Sequence, residues 1–151
     1  MRRLLPVLVL PGLLAPAAQA QVDPGRAPIR EPATPADKVV AFAKHQLGVP
    51  YRWGGSSRRT GFDCSGLVYA AYRSIGRKIP HSTWGQMALG RPVRFGRLRP
   101  GDLVFTNGGG HVDLVVSSHT VISAPHTGAR VRYVSLTQVR GEFVGARRLL
   151  R

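Results

Sequence analysis

The chain has 151 residues, 22 Lys and Arg against 7 Asp and Glu, one cysteine, and 43% hydrophobic residues. That length suits one domain of ordinary size, the apolar fraction supports a packed core, and a lone cysteine excludes an internal disulfide framework and a cysteine-rich zinc site. The formal net charge of +15 is almost wholly arginine, since only Lys38, Lys44 and Lys78 are lysines; it favours anionic partners without choosing among nucleic acid, membrane surface and cell wall.

Residues 1–20 read as a secretory signal peptide. Arg2 and Arg3 give a basic start, residues 4–14 a short apolar stretch, and Ala18-Gln19-Ala20 a small-x-small cleavage site. The stretch is too short to cross ~30 Å of hydrocarbon, and Pro6 and Pro11 disfavour a packed helix. The mature protein is therefore expected to be secreted or periplasmic, with no transmembrane segment. No cysteine follows the cleavage site, so nothing suggests a lipid anchor. Without Arg2 and Arg3 the net charge is +13. Residues 21–34, with Pro24, Pro28 and Pro32 and few large apolar side chains, read as a linker. Residues 35–151 are left as the folded domain. In an oxidising compartment Cys64 is buried filler, half of an intermolecular bridge, or a reactive group.

Thr34-Pro35-Ala36-Asp37 opens a helix, with Thr34 as N-cap, Pro35 in the first turn and Asp37 favourable to the helix dipole. Val39, Val40, Phe42, Ala43, Gln46 and Leu47 continue it, and Gly48 and Pro50 stop it. A loop follows from Tyr51 to Gly61. Asp63 is the next N-cap, with Cys64 at the first helical position. Leu67, Val68, Ala71, Tyr72 and Ile75 share one face, and Gly76 ends the segment. Residues 81–89 read as a short third helix. After the Arg99-Pro100-Gly101 turn the pattern changes to strands, with candidates at 103–106, 111–117, 120–123, 130–134 and 143–149. Helices first and an antiparallel sheet later is an α+β order, with no βαβ repeat.

A cysteine in the first turn of a helix sits at the positive end of the macrodipole, which raises its thiolate fraction. Such a nucleophile needs a proton partner, usually histidine. His45 reads as a surface residue of the first helix and His119, in Ser117-Ser118-His119-Thr120, as an exposed hairpin tip. His111 begins an apolar strand after Asn107-Gly108-Gly109-Gly110, where its side chain is able to face the Cys64 helix and glycines let substrate approach. That loop is no phosphate cradle, because no helix and no Gly-Lys-Ser/Thr follows. On these grounds alone a Cys64/His111 pair and a buried structural cysteine both stand.

Gly61-Phe62-Asp63-Cys64-Ser65-Gly66-Leu67-Val68 resembles the nucleophile motif of the NlpC/P60 family of cell-wall cysteine peptidases. The resemblance runs from Pro50-Tyr51-Arg52-Trp53-Gly54-Gly55 through Ile79-Pro80-His81-Ser82-Thr83 and Gln86. It continues with Arg99-Pro100-Gly101-Asp102-Leu103-Val104-Phe105, Gly110-His111-Val112 and Ala124-Pro125-His126-Thr127-Gly128. It implies a papain-like fold, N-terminal helices packed on an antiparallel sheet, with Cys64 as nucleophile and His111 as base. It also implies an acyl-enzyme on peptidoglycan stem peptides, commonly cut between D-γ-glutamate and a diamino acid. Tyr51, Asp63 and Ser65 match positions that line the substrate cleft in relatives; alone, Asp63 is a plain N-cap and Tyr51 a core aromatic.

The chain departs from the family at the third polar residue, usually His, Asn or Gln on the strand after the base. Counting along the hairpin places Ser123 there, twelve residues after His111, with His126 in the following turn as runner-up. Asp113 replaces a small residue. Two positions from His111 it shares a strand face, but a like-facing neighbour is not expected to reach the ring. The primary reading is an exported peptidoglycan endopeptidase, monomeric, needing no cofactor and no metal, and held by its charge to the anionic cell envelope. The alternative is a catalytically weak or inactive wall-binding protein of the same fold, against which the intact Cys64 and His111 argue. Nucleic acid is not an expected partner: the arginines are scattered, with no recognition helix or stacking platform.

Overall fold

Thr34 and Asp37 close a reciprocal capping box. The Thr34 hydroxyl accepts the Asp37 N–H at 3.1 Å, and the Asp37 carboxylate accepts the Thr34 N–H at 2.9 Å. The structure, a computed structural model, describes residues 31–151; the signal peptide and residues 21–30 of the linker lie outside the described residues. From the cap runs α1 (Pro35–His45), with Val39, Val40 and Ala43 buried on one face. Gln46 ends it, and Gly48 follows at φ +84°, a left-handed turn that suits glycine.

A small hairpin, β1 (Ser56–Ser57) and β2 (Gly61–Phe62), leads into α2 (Cys64–Arg73), and α3 (Thr83–Met87) follows behind its Ser82 cap. The rest is sheet: β3 (Arg91–Pro92), β4 (Leu103–Thr106), β5 (His111–Val115), β6 (Thr120–Ser123) and β7 (Arg132–Ser135). The one-turn α4 (Leu136–Val139) then leads to β8 (Gly145–Arg148). These strands form one six-stranded sheet in the order β3-β8-β4-β5-β6-β7, each neighbour antiparallel. The α+β order expected from the sequence holds.

The element bounds shift where turns intervene. β5 stops at Val115 because the N–H groups of Val116 and Ser117 both turn to the Thr120 carbonyl. The strand expected at 130–134 begins at Arg132, since Arg130 pairs across to Pro50. The third helix is shorter than 81–89 because Ser82 caps it, its hydroxyl accepting the Gly85 N–H at 3.1 Å. The sequence pattern did not signal β1, β2, β3 or α4.

Both faces of the sheet are covered. Leu103, Phe105, Val112, Leu114 and Ile122 pack under α1 and α2 against Val39, Leu67, Val68 and Tyr72. The alternate residues Val104, Val115, Val121 and Ala146 meet Leu136 and Val139 on the far side. Each such large side chain contributes roughly 1.5–3 kcal/mol on full burial, so the helical layer fixes where α2 begins relative to β5. The 99–102 turn adds polar ties. Arg148 grips Asp102 through two bonds, Nε to Oδ1 at 2.7 Å and Nη2 to Oδ2 at 2.6 Å, and the Tyr72 hydroxyl donates to the Gly101 carbonyl at 2.7 Å. Among the described residues no helix is long and apolar enough to cross a membrane.

Candidate active site

Asp63 is the N-cap of α2, as its place before the apolar run predicts, and Cys64 is the first helical residue. The carboxylate does more than cap. Oδ1 accepts the Gly66 N–H at 2.7 Å and stands 3.1 Å from His81 Nε2, while Oδ2 accepts the Gly54 N–H at 2.8 Å. One side chain thus fastens the 54–55 loop, the first turn of α2 and the approach to α3. Gln86, fully buried, reinforces this by donating to the carbonyls of Ser65 and Pro80, each at 2.9 Å. With the Gly66 N–H on the Asp63 side chain and the Leu67 N–H on the Asp63 carbonyl, the N–H groups of Cys64 and Ser65 have no intrahelical acceptor.

The loop between β4 and β5 aims the second group. Asn107, Gly108 and Gly109 all take positive φ, turning the chain tightly so that β5 opens on His111. A side chain at Gly109 would press on Met87 and Trp84 at 3.0 Å. His111 and Cys64 line one compartment of the same cleft, and the Thr83 hydroxyl lies 4.0 Å from the sulfur. His111 Nε2 is engaged, 2.9 Å from Asp113 Oδ1 and 3.1 Å from Ser123 Oγ, and Nδ1 has no hydrogen-bond partner among the described residues.

The electrostatics of the two groups are coupled. Burial raises the Cys64 pKa, but the His111 ring, the Val112 backbone and the Thr83 hydroxyl outweigh it and hold the thiol below its ordinary range. Burial likewise opposes protonation of His111. The Asp113 carboxylate and the Cys64 sulfur overcome it, and the ring is pushed up to about 10. Such opposed shifts favour a thiolate–imidazolium pair.

Cys64 opens onto a cleft with two compartments that share Tyr51, Trp53 and Gly110. One, of about 480 Å³, contains Asp63, Ser65, His81 and Trp84; the other, of about 330 Å³, contains His111, Thr106, Pro125 and Glu142. Trp53 and Trp84 stand 85% and 64% exposed and form an aromatic rim. Burial, followed by the charges of Cys64 and Asp63, raises the Tyr51 pKa, so its hydroxyl stays protonated.

The fold brings together Cys64, His111, Ser123, Tyr51, Asp63 and Ser65. His126 stands apart in an exposed turn, Nδ1 on the Thr127 carbonyl at 3.0 Å, and no hydrogen bond joins it to His111. His45 and His119 are exposed, as expected. The expectation that Asp113 is out of reach is overturned. His111 sits at the first position of β5, where the ring is free to lie back along the strand over the carboxylate. His81 had no role in the sequence beyond its motif. It stacks on Tyr69 with centroids 5.3 Å apart while meeting Asp63.

This arrangement has relatives. The family model described as NlpC/P60 family matches residues 48–148. The murein DD-endopeptidase MepH of Escherichia coli is 44% identical over 115 residues, covering 70% of this chain and 42% of MepH. The peptidoglycan endopeptidase RipA of Mycobacterium tuberculosis is 35% identical over 132 residues, covering 78% of this chain and 27% of RipA. Among solved structures, an NlpC/P60 family protein from Bacillus cereus superposes with a TM-score of 0.73 at 34% identity, over 80% of this chain and 42% of that one. The chain spans less than half the length of each of these relatives. With the matched segment running from the turn after α1 to the end of β8 and holding every residue of the cleft, the chain belongs to the NlpC/P60 family.

Proposed function

We propose that this chain is an exported cysteine endopeptidase of peptidoglycan stem peptides, with residues 35–151 as its catalytic domain. The observation that carries the reading is that Cys64, at the mouth of α2, shares a cleft compartment with a half-buried His111 whose Nε2 is already held by Asp113 and Ser123. Cys64 is the nucleophile and His111 the base. The thiolate attacks the amide carbonyl, and the carbonyl electron pair moves to oxygen, where the free N–H groups of Cys64 and Ser65 receive it. Collapse expels the amine, which takes the His111 proton and leaves a thioester. Water then gives a proton to His111, attacks the thioester and releases the acid and the thiolate. Ser123 serves as the third polar residue, at Nε2. Tyr51, Asp63 and Ser65 line the substrate side of the cleft.

The bond between D-γ-glutamate and a diamino acid is the first candidate. Similarity to the DD-endopeptidase MepH favours a second, a D,D cross-link between stems. Defined muropeptides separate them: the full chain, beside Cys64→Ala, is incubated with monomeric stem peptides and with cross-linked dimers, and products are read by mass spectrometry. Shortened monomers support the first bond, and dimers split into intact monomers support the second. If wild type and Cys64→Ala leave both substrates equally intact, the chain is the wall-binding alternative. Export follows from residues 1–20, and N-terminal sequencing of the mature protein should begin after Ala20. The +13 charge of residues 21–151 holds the enzyme to the anionic envelope, so high salt should release it from sacculi.

A further inference from the structure

We propose that Asp113 is the residue that positions His111, its carboxylate fixing the ring through Nε2 while the Ser123 hydroxyl acts as a neutral second partner. The inference rests on the reading of Cys64 and His111 as a working pair, and it moves the main task off the neighbouring strand onto β5 itself.

Three observations converge. Alternation puts His111 and Asp113 on one face of β5, and the pairing of Leu114 with Ile122 brings Ser123 alongside Asp113 on β6. Both oxygens then meet the same nitrogen, with the carboxylate the nearer at 2.9 Å against 3.1 Å. The Asp113 side chain is only 4% exposed. A buried carboxylate is costly without a partner, and among the described residues the His111 ring is the one hydrogen-bond partner of this one. A core position on β5, cross-strand from Val104, holds a charge that only the ring satisfies.

The chemistry separates the two neighbours. A hydrogen bond to an ionised acceptor is roughly twice as strong as a neutral one, and it favours the imidazolium that the pair requires. The serine hydroxyl fixes the ring but adds no charge. The other ionisable groups around His111 are Cys64 from α2, Tyr51 across the cleft and Glu142 from the segment before β8. None of these is a hydrogen-bond partner of Nε2. Asp113 also explains how a chain with serine at the third position keeps a strongly basic histidine, which the carboxylate sustains against burial.

The test reads the thiol directly. The rate of Cys64 alkylation by iodoacetamide is measured against pH on the full chain for wild type, Asp113→Asn, Ser123→Ala and His111→Ala, with circular dichroism confirming the fold. Hydrolysis of muropeptides is followed in parallel. Asn keeps the volume and an oxygen able to accept from Nε2 but removes the charge. Asp113→Asn should cut alkylation near neutral pH by about tenfold or more and move the alkaline limb of kcat/KM toward neutral by at least about one unit. Ser123→Ala should change alkylation by less than about threefold. If Asp113→Asn fails to fold, the His111 titration followed by NMR in wild type and Asp113→Glu, which restores the charge on a longer arm, takes its place. A ring pKa of Asp113→Glu equal to that of wild type supports the inference, and an ordinary imidazole pKa in wild type overturns it. An Asp113→Asn profile that overlays wild type also overturns it while leaving the endopeptidase reading intact. A shifted alkylation profile in a protein that cuts no muropeptide supports the positioning role and removes the proposed activity.

Discussion

Asp63 Oδ1 lies 2.7 Å from the Gly66 nitrogen, and the space above Gly66 admits no side chain. A Cβ there would meet the Gly55 carbonyl oxygen at 1.9 Å, Asp63 Oδ1 at 2.7 Å and His81 Nε2 at 2.8 Å. The first of these is backbone and has no rotamer to change. Gly66→Ala should therefore force the 54–55 loop off the first turn of α2, costing ~2–3 kcal/mol and displacing Cys64 from His111. Gly96→Ala, which meets nothing within 4 Å, should be close to neutral. Urea midpoints of the two variants decide it, and equal midpoints would mean that the loop yields freely.

Asp102 and Arg148 form an ion pair through two hydrogen bonds. The Asp102 side chain is 2% and the Arg148 side chain 11% exposed. The carboxylate also receives the Arg99 N–H at 2.8 Å, and Arg148 Nη2 reaches the Arg97 carbonyl at 2.9 Å. Asp102→Ala leaves a half-buried guanidinium without its counter-charge, and its partial solvation holds the cost to about 3 kcal/mol or less. The double variant Asp102→Ala with Arg148→Met should recover part of that loss, because neither charge is then stranded. Chemical denaturation of the singles and the double completes the cycle. Additive losses would show that the pair is not coupled.

The half of the site that depends on local signals was legible in the sequence. A capping residue, a helix start and an apolar face placed Asp63 and Cys64 correctly, and turn chemistry placed the start of β5 at His111. The partner of His111 was not legible to the same degree. Counting along the hairpin found Ser123, because strand spacing is regular, but whether Asp113 meets the ring depends on the His111 rotamer, which no periodicity encodes. The short β3 escaped for a related reason. Arg91 and Pro92 carry no strand pattern and are extended only because β8 pairs with them. His81 joins the site through the packing of α3 against α2, a long-range relation with no mark in its own segment.

The opposed pKa shifts set a pH window. His111 is raised above its ordinary value of ~6.5, to about 10. The stability that its protonated form contributes is fully present below about 6.5 and is lost as pH rises through about 10. Cys64 is shifted down, so its thiolate contribution is present above the ordinary thiol range and is lost as pH falls through the lowered value. Both describe one ion pair and are counted once. Activity should form a broad plateau, limited on the acid side by protonation of Cys64 and on the alkaline side by deprotonation of His111. Rates of muropeptide cleavage across pH test this, and a loss of activity between neutral pH and about 8 would contradict the raised His111.

Ser123 and His111 should differ sharply when truncated. His111→Ala removes both the proton acceptor for Cys64 and the donor to the leaving amine, a loss of about 10²–10⁴ in kcat. It also strands the buried Asp113 carboxylate, so part of its effect will appear as lower stability. Ser123→Ala removes one neutral contact at 3.1 Å while the 2.9 Å contact to Asp113 remains. The ring keeps its orientation and its charge, and the expected loss in kcat is under about tenfold, with KM unchanged. Steady-state kinetics of the two variants on one defined muropeptide measure the difference. Losses of equal size would transfer the orienting task from β5 to β6, since a ring held mainly by Asp113 cannot depend on the serine as heavily as on itself.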